Sequence, residues 1–123
     1  MQHGSSHISC SQRDGVWVVS LSGEHDLASA PEVEKAVEAV SAPGVKLAVD
    51  LTATTFLDSS IVSLFLRVAT GSGETPGSQV AAVAPPGSVA DRVFEIVRLQ
   101  DVIPVYPDLE SAVRALRPDG AVS

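Results

Sequence analysis

One cysteine among 123 residues, Cys10, excludes an internal disulfide framework and suits a reducing compartment. Cationic side chains are also scarce. Eight Lys and Arg stand against 15 Asp and Glu, a formal charge of −7, and no basic run offers to neutralise a phosphate backbone, so no nucleic-acid partner is expected. No apolar run approaches the roughly 20 residues of a membrane span, and the opening MQHGSSHIS lacks the apolar stretch of a signal peptide. These absences predict a cytoplasmic protein with no membrane partner. G-x-x-x-x-G-K-[ST], G-x-G-x-x-G and G-x-S-x-G are missing too, which removes sequence support for nucleotide hydrolysis, dinucleotide chemistry and a hydrolase elbow, and no cofactor is expected. A metal site from His3 and His7 would need a helix through Gly4, Ser5 and Ser6, so none is expected.

What remains is a 45% apolar chain long enough for one domain with a sizeable core. Residues 1–7 are expected to be disordered, 8–117 to form the domain, and 118–123 to be a loose tail. Ile8 to Ser11 reads as a short edge strand, Arg13-Asp14-Gly15 as a turn, and Val16 to Leu21 as the second arm of a hairpin that Gly23, Glu24, His25 and Asp26 close. Ser29 with Glu32 is a capping-box spacing and Pro31 sits in the first turn, predicting a helix that buries Val33, Ala36, Val37 and Val40 and stops at Pro43-Gly44. Beyond Gly71 to Ser78, a Gly/Ser-rich loop, Gln79 to Ala84 reads as a strand. Ser88 then caps a third helix with Val89, Val93, Phe94, Ile96 and Val97 inside. Val102 to Val105 reads as an edge strand because Pro104 cannot donate a ladder hydrogen bond, and Asp108 caps a last helix with Leu109, Ala112, Val113 and Leu116 inward. Two strands followed by alternating helices and strands predict an α/β layered fold, a mixed sheet of about 4–5 strands with about four packed helices.

The organising stretch is Leu47 to Thr70, LAVDLTATTFLDSSIVSLFLRVAT. Leu47 to Leu51 reads as a strand covered on both faces, and the threonine-rich run from Asp50 to Thr55 as the loop leaving it. Asp58, Ser59 and Ser60 all cap helices well. In the helix that follows, Ile61, Leu64, Phe65 and Val68 share the core face, and Ser59, Ser63, Arg67 and Thr70 make a narrow polar stripe. Val62, Leu66 and Ala69 lie beside that stripe. They are either sandwiched between elements or shown to a partner. The turn itself supports two readings: Asp58 caps and the serines are merely solvated, or Ser59 is a phosphoacceptor beside an apolar docking strip. Phosphate at a helix N-terminus is electrostatically favoured, so modification would repel a partner without unfolding the domain.

Phe56, Leu57, Asp58, Ser59, Ser60 and Ile61, followed by an apolar helix, resemble the acid-serine-serine/threonine-glycine run of the STAS domain family, in particular its small anti-sigma-factor antagonists. Ile61 stands where that pattern has glycine. Gly23-Glu24-His25-Asp26 is similar to the family's glycine-glutamate-apolar-aspartate turn, with His25 in the apolar place. The likeness runs from about Ile8 to Leu116 and implies the fold already outlined. It also implies that Ser59 is phosphorylated by an anti-sigma factor with serine kinase activity, with a phosphatase as a further partner. Glu24, Asp26, Asp58, Ser60, Val62, Ser63 and Leu66 become candidates for the partner surface; no catalytic residue is expected. The alternative is a STAS scaffold or accessory subunit of a larger regulatory or transport assembly, in which Ser59 is only a cap. A Ser59, His25 and Asp26 hydrolase is the third reading, and the missing nucleophile elbow argues against it.

Overall fold

The computed structural model describes residues 6–40, 42, 44–71 and 79–117. Its first two strands, β1 (Ser6–Arg13) and β2 (Val16–His25), form an antiparallel hairpin in unbroken register from Ser6 opposite Gly23 to Arg13 opposite Val16. Asp14 and Gly15 both adopt positive φ, 54° and 82°, so the hairpin closes through a two-residue turn whose twist matches the strands. Ser6 and His7, expected in a loose terminus, are therefore strand residues. The expected disorder of residues 1–5 and 118–123, and the loop at 72–78, lie outside the described residues.

Helix α1 (Ala30–Val40) leads into β3 (Lys46–Asp50), and β3 lies parallel to β2 with Trp17 opposite Leu47. The run after β3 is not all loop. Asp50 accepts hydrogen bonds from Thr52 N–H at 3.0 Å and from Thr52 Oγ1 at 2.6 Å, making a tight side-chain turn, and the chain resumes as β4 (Thr54–Leu57). β4 pairs in parallel with the last residues of β2, Phe56 opposite Glu24 and Leu57 opposite His25. It is anchored by Thr54 Oγ1, which donates to the buried Leu21 carbonyl at 2.7 Å. Threonine reads as loop or strand, and only this tertiary pairing decides between them.

α2 (Ser59–Thr70), β5 (Gln79–Val83), α3 (Val89–Val97), a 3₁₀ turn at Leu99–Asp101, β6 (Val105–Tyr106) and α4 (Leu109–Leu116) complete the chain. The sheet runs β1-β2-β3-β5-β6, with β4 continuing on the β3 side of β2, so six strands replace the expected 4–5. β6 is an edge strand displaced toward the C-terminus from Val102–Val105; Pro104 contributes its carbonyl to Ala82 N–H at 2.9 Å instead of a donor. Period-two alternation splits the core. Val19, Leu21, Leu47, Val49, Leu51, Val80 and Ala82 turn to one face under Val33, Val37, Leu64, Phe65 and Phe94 of α1, α2 and α3. Val16, Val18, Ala48, Ala81 and Val83 turn to the other, where Ala112 and Val113 of α4 cover them.

Two helices differ from expectation. On α3 only Ala90 and Phe94 are buried and Val93 is partly so, while Ile96 is 81% exposed and Val89 and Val97 are also exposed. Five inward apolar residues in nine spread over too much of a helix surface for one contact face. On α1 the Ser29 hydroxyl turns inward rather than capping its helix, for the reason given below.

Candidate docking turn at the head of α2

β2 and β4 run parallel, so their carboxyl ends arrive together, and Asp58 N–H donates to the His25 carbonyl at 3.0 Å to fasten the two ends. Glu24 and Asp26 on one side and Asp58 and Ser59 on the other are thereby brought to one edge. Glu24 and Ser59 are exposed, while Asp26 and Asp58 are half-buried. Each of these positions is set by a different local device.

Asp58 is the N-cap of α2: it has extended backbone, and its Oδ1 accepts from Ser60 N–H at 2.8 Å. Of the three capping candidates, Asp58 takes the role, and Ser59 and Ser60 do not. Ser59 is the first helical residue, and its hydroxyl faces solvent with no side-chain partner among the described residues. Ser60 points the other way; its Oγ is buried with no hydrogen-bond partner among the described residues, which removes it as an outward contact group. Ser63, one turn on from Ser59, is exposed on the same stripe. Asp26 closes its own turn by accepting from Ala28 N–H at 2.9 Å.

His25, the residue in the apolar place of the acidic turn, is fully buried. Its Nε2 lies 2.9 Å from the Ser22 carbonyl, and since a carbonyl only accepts, Nε2 carries a proton. Nδ1 lies 3.2 Å from Ser29 Oγ, and Ser29 Oγ in turn lies 3.3 Å from the Asp26 carbonyl. This is where the Ser29 hydroxyl goes. A buried imidazole needs both nitrogens satisfied, and that demand draws Ser29 away from its helix cap. The same engagement keeps His25 from Ser59, so no Ser59-His25-Asp26 triad is assembled.

The apolar strip beside the polar stripe of α2 is covered by the chain itself. Val62 is only 2% exposed and belongs to the core with Val33 and Val37 of α1, and Leu66 is partly buried against that core. α1 packs alongside α2, and Arg67 reaches Glu34 across the contact at 3.6 Å. Val62 is thus corrected from a docking residue to a packing residue, and Leu66 offers only part of its surface. Ile61, in the place of the motif glycine, is fully buried as well, so its bulk goes into the core and not toward a partner. Apolar surface near Ser59 comes instead from Phe56, 49% exposed on β4 opposite Glu24, and Leu27, 71% exposed directly after Asp26. Neither was singled out from sequence as a surface residue. The alternation along β4, with Thr54 and Leu57 buried around exposed Thr55 and Phe56, becomes readable only once β4 is recognised as a strand.

Among the described residues no group of three or more His, Cys, Asp or Glu could hold a metal ion, and no helix is long and apolar enough to cross a membrane.

The fold recurs in known proteins. A relative of 30% identity over 112 residues, spanning 89% of this chain and 88% of its own length, is the anti-sigma-F factor antagonist RsfB of Mycobacterium tuberculosis. The crystal structure of an anti-sigma factor antagonist from Mycobacterium paratuberculosis superposes with a TM-score of 0.75 at 34% identity, covering 93% of this chain and 96% of that one. A STAS-domain protein from Planctomyces limnophilus shares the fold, with a TM-score of 0.69 at 18% identity over 89% of this chain and 96% of its own. The STAS domain family profile matches residues 7–112. With residues 7–112 of 123 matched, the chain belongs to the STAS domain family.

Proposed function

We propose that this chain is an anti-sigma-factor antagonist: its unmodified form docks an anti-sigma factor through the edge formed by Glu24, Asp26, Phe56 and Ser59 and so frees a sigma factor. Phosphorylation of Ser59 by the partner's serine kinase activity ends the interaction, and a phosphatase restores it. The protein acts as a cytoplasmic binding module and not as an enzyme. The observation that carries this reading is the division of labour at the head of α2: Asp58 takes the capping role and leaves the Ser59 hydroxyl solvent-facing and unengaged. Phosphate there sits at the positive end of the helix dipole, so it is accommodated by the fold while adding about two negative charges beside Glu24, Asp26 and Asp58. A partner that must bury this edge then meets a charge it cannot pair.

The likeness to RsfB of M. tuberculosis and to the M. paratuberculosis antagonist supports the class of partner. The corrected anchors, Phe56 and Leu27, supply the apolar contact that Val62 cannot. Incubation with the cognate anti-sigma factor and ATP, followed by mass spectrometry and a binding measurement on the product, tests the switch. Phosphate on Ser59 with loss of binding is expected. An unmodified Ser59 would point to the scaffold role, and phosphoprotein binding at full affinity would remove the mechanism.

A further inference from the structure

The pole of the molecule opposite Ser59 gathers cations that the docking edge does not use. Arg13 at the end of β1, and Arg114 and Arg117 at the end of α4, line a cavity of about 350 Å³ with Asp14, Glu110 and Val113. Three of the eight Lys and Arg of a chain with net charge −7 thus converge on one cavity. β2 separates this cavity from the Ser59 edge, and ten strand residues at ~3.3 Å each place the two roughly 30 Å apart.

The cations are poorly matched by the acids around them. Arg114 reaches Glu110 at 3.5 Å and Arg117 reaches Asp14 at 4.0 Å, both loose contacts to exposed carboxylates, of the kind that contribute little. Among the described residues Arg13 has no ion-pair partner and the buried Arg117 Nε has no acceptor. Complementing the negative end of α4 accounts for Arg114 and Arg117, but not for Arg13, which arrives from the hairpin.

We propose that this cavity binds a phosphate group. Two carboxylates already sit on its rim and hold Arg114 and Arg117 only at 3.5 and 4.0 Å, so a further monocarboxylate would only be a third weak competitor. A phosphate has enough oxygens and charge to accept from three guanidinium forks at once, displacing Asp14 and Glu110 outward. The cavity volume falls within the ~300–1,000 Å³ typical of small-ligand sites. The ligand is either the free ion or a phosphate monoester, which share this chemistry.

The full chain, titrated by two-dimensional NMR with inorganic phosphate at constant ionic strength, tests the assignment. Saturable shifts in the millimolar range, centred on Asp14, Gly15, Arg114 and Arg117, are expected, weakened at least tenfold in Arg13→Gln and abolished in Arg13→Gln/Arg114→Gln. Arg13 is exposed at a turn, so the single variant should keep its fold, and an unchanged melting curve verifies this. Tighter binding of glycerol 2-phosphate than of inorganic phosphate assigns the monoester, and the reverse order assigns the free ion. Equal effects from chloride or acetate, shifts spread evenly over Arg92 and Arg98, or full binding by the double variant would overturn the proposal.

Discussion

Val62 packs into the core where a helical wheel leaves it free for docking, and Phe56 of β4 offers the exposed apolar surface instead, so a pair of alanine substitutions separates packing from docking. Val62→Ala removes two methyl groups from a side chain 2% exposed in the core between α1 and α2. At ~0.8 kcal/mol per buried carbon, with a further share for an incompletely collapsed cavity, the fold should lose about 2–3 kcal/mol. For a chain of this length that is a fall of roughly 8–12 °C in melting temperature. Phe56 is half exposed, so Phe56→Ala should cost the fold only about 1 kcal/mol. As an interface anchor, however, it should weaken anti-sigma-factor binding by about 1–2 kcal/mol, some 5- to 30-fold. Urea unfolding gives the first quantity and calorimetric titration with the purified anti-sigma factor, at a temperature where every variant is folded, gives the second. Val62→Ala should move the urea midpoint and leave affinity alone, and Phe56→Ala should do mainly the reverse. A Val62→Ala protein of undiminished stability and reduced affinity would refute the placement of α2 against α1 and return the docking strip to the helix.

Ser59→Ala should change stability by no more than about 0.5 kcal/mol, bind the partner normally and resist phosphorylation, whereas Ser59→Glu should be as stable as the parent and bind at least tenfold more weakly; kinase and binding assays on the two variants check this. His25→Leu places an apolar side chain in a fully buried site but leaves the Ser22 carbonyl without its donor, and should lower unfolding free energy by about 1–3 kcal/mol in urea. Asp108 caps α4 by accepting from Ser111 N–H at 2.8 Å, and this backbone hydrogen bond, aided by the Ser111 side chain, holds its carboxyl below the ordinary value. A depressed pKa means that the folded state gives up this proton more readily than the unfolded one. The cap's contribution is therefore fully present above about pH 4 and fades as the pH falls through the lowered value. Urea midpoints between pH 2 and 6 should show this loss in the parent and not in Asp108→Asn.

Much of the fold is legible from alternation and caps. The hairpin follows from Asp14-Gly15 between β-rich runs, α4 from Asp108 with its core spacing, and the two-sided burial of Leu47 to Val49 from an uninterrupted apolar run. The failures share a cause, which is that a distant residue claims a local group. Ser29 has the right spacing to cap α1, but the buried ring of His25 competes for its hydroxyl. Thr54 and Thr55 read as loop until the end of β2 is available to pair with them. Val62 looks surplus to the core because a wheel knows only one contact face, whereas α2 is flanked by the sheet on one side and α1 on another. At the site, Ser59, Glu24 and Asp26 could be found from motif and turn chemistry; Phe56 could not, since its exposure depends on the register of a strand with only four residues.

β4 has a consequence for how the proposed switch would be read. Among the described residues its one strand partner is the tail of β2, about thirty positions earlier in the chain, so the hydroxyl of Ser59 reaches its place only after the sheet has closed. An enzyme that recognises the edge as a shape, and not as a string of letters, would ignore nascent or damaged copies. The cell would then count only those molecules able to answer.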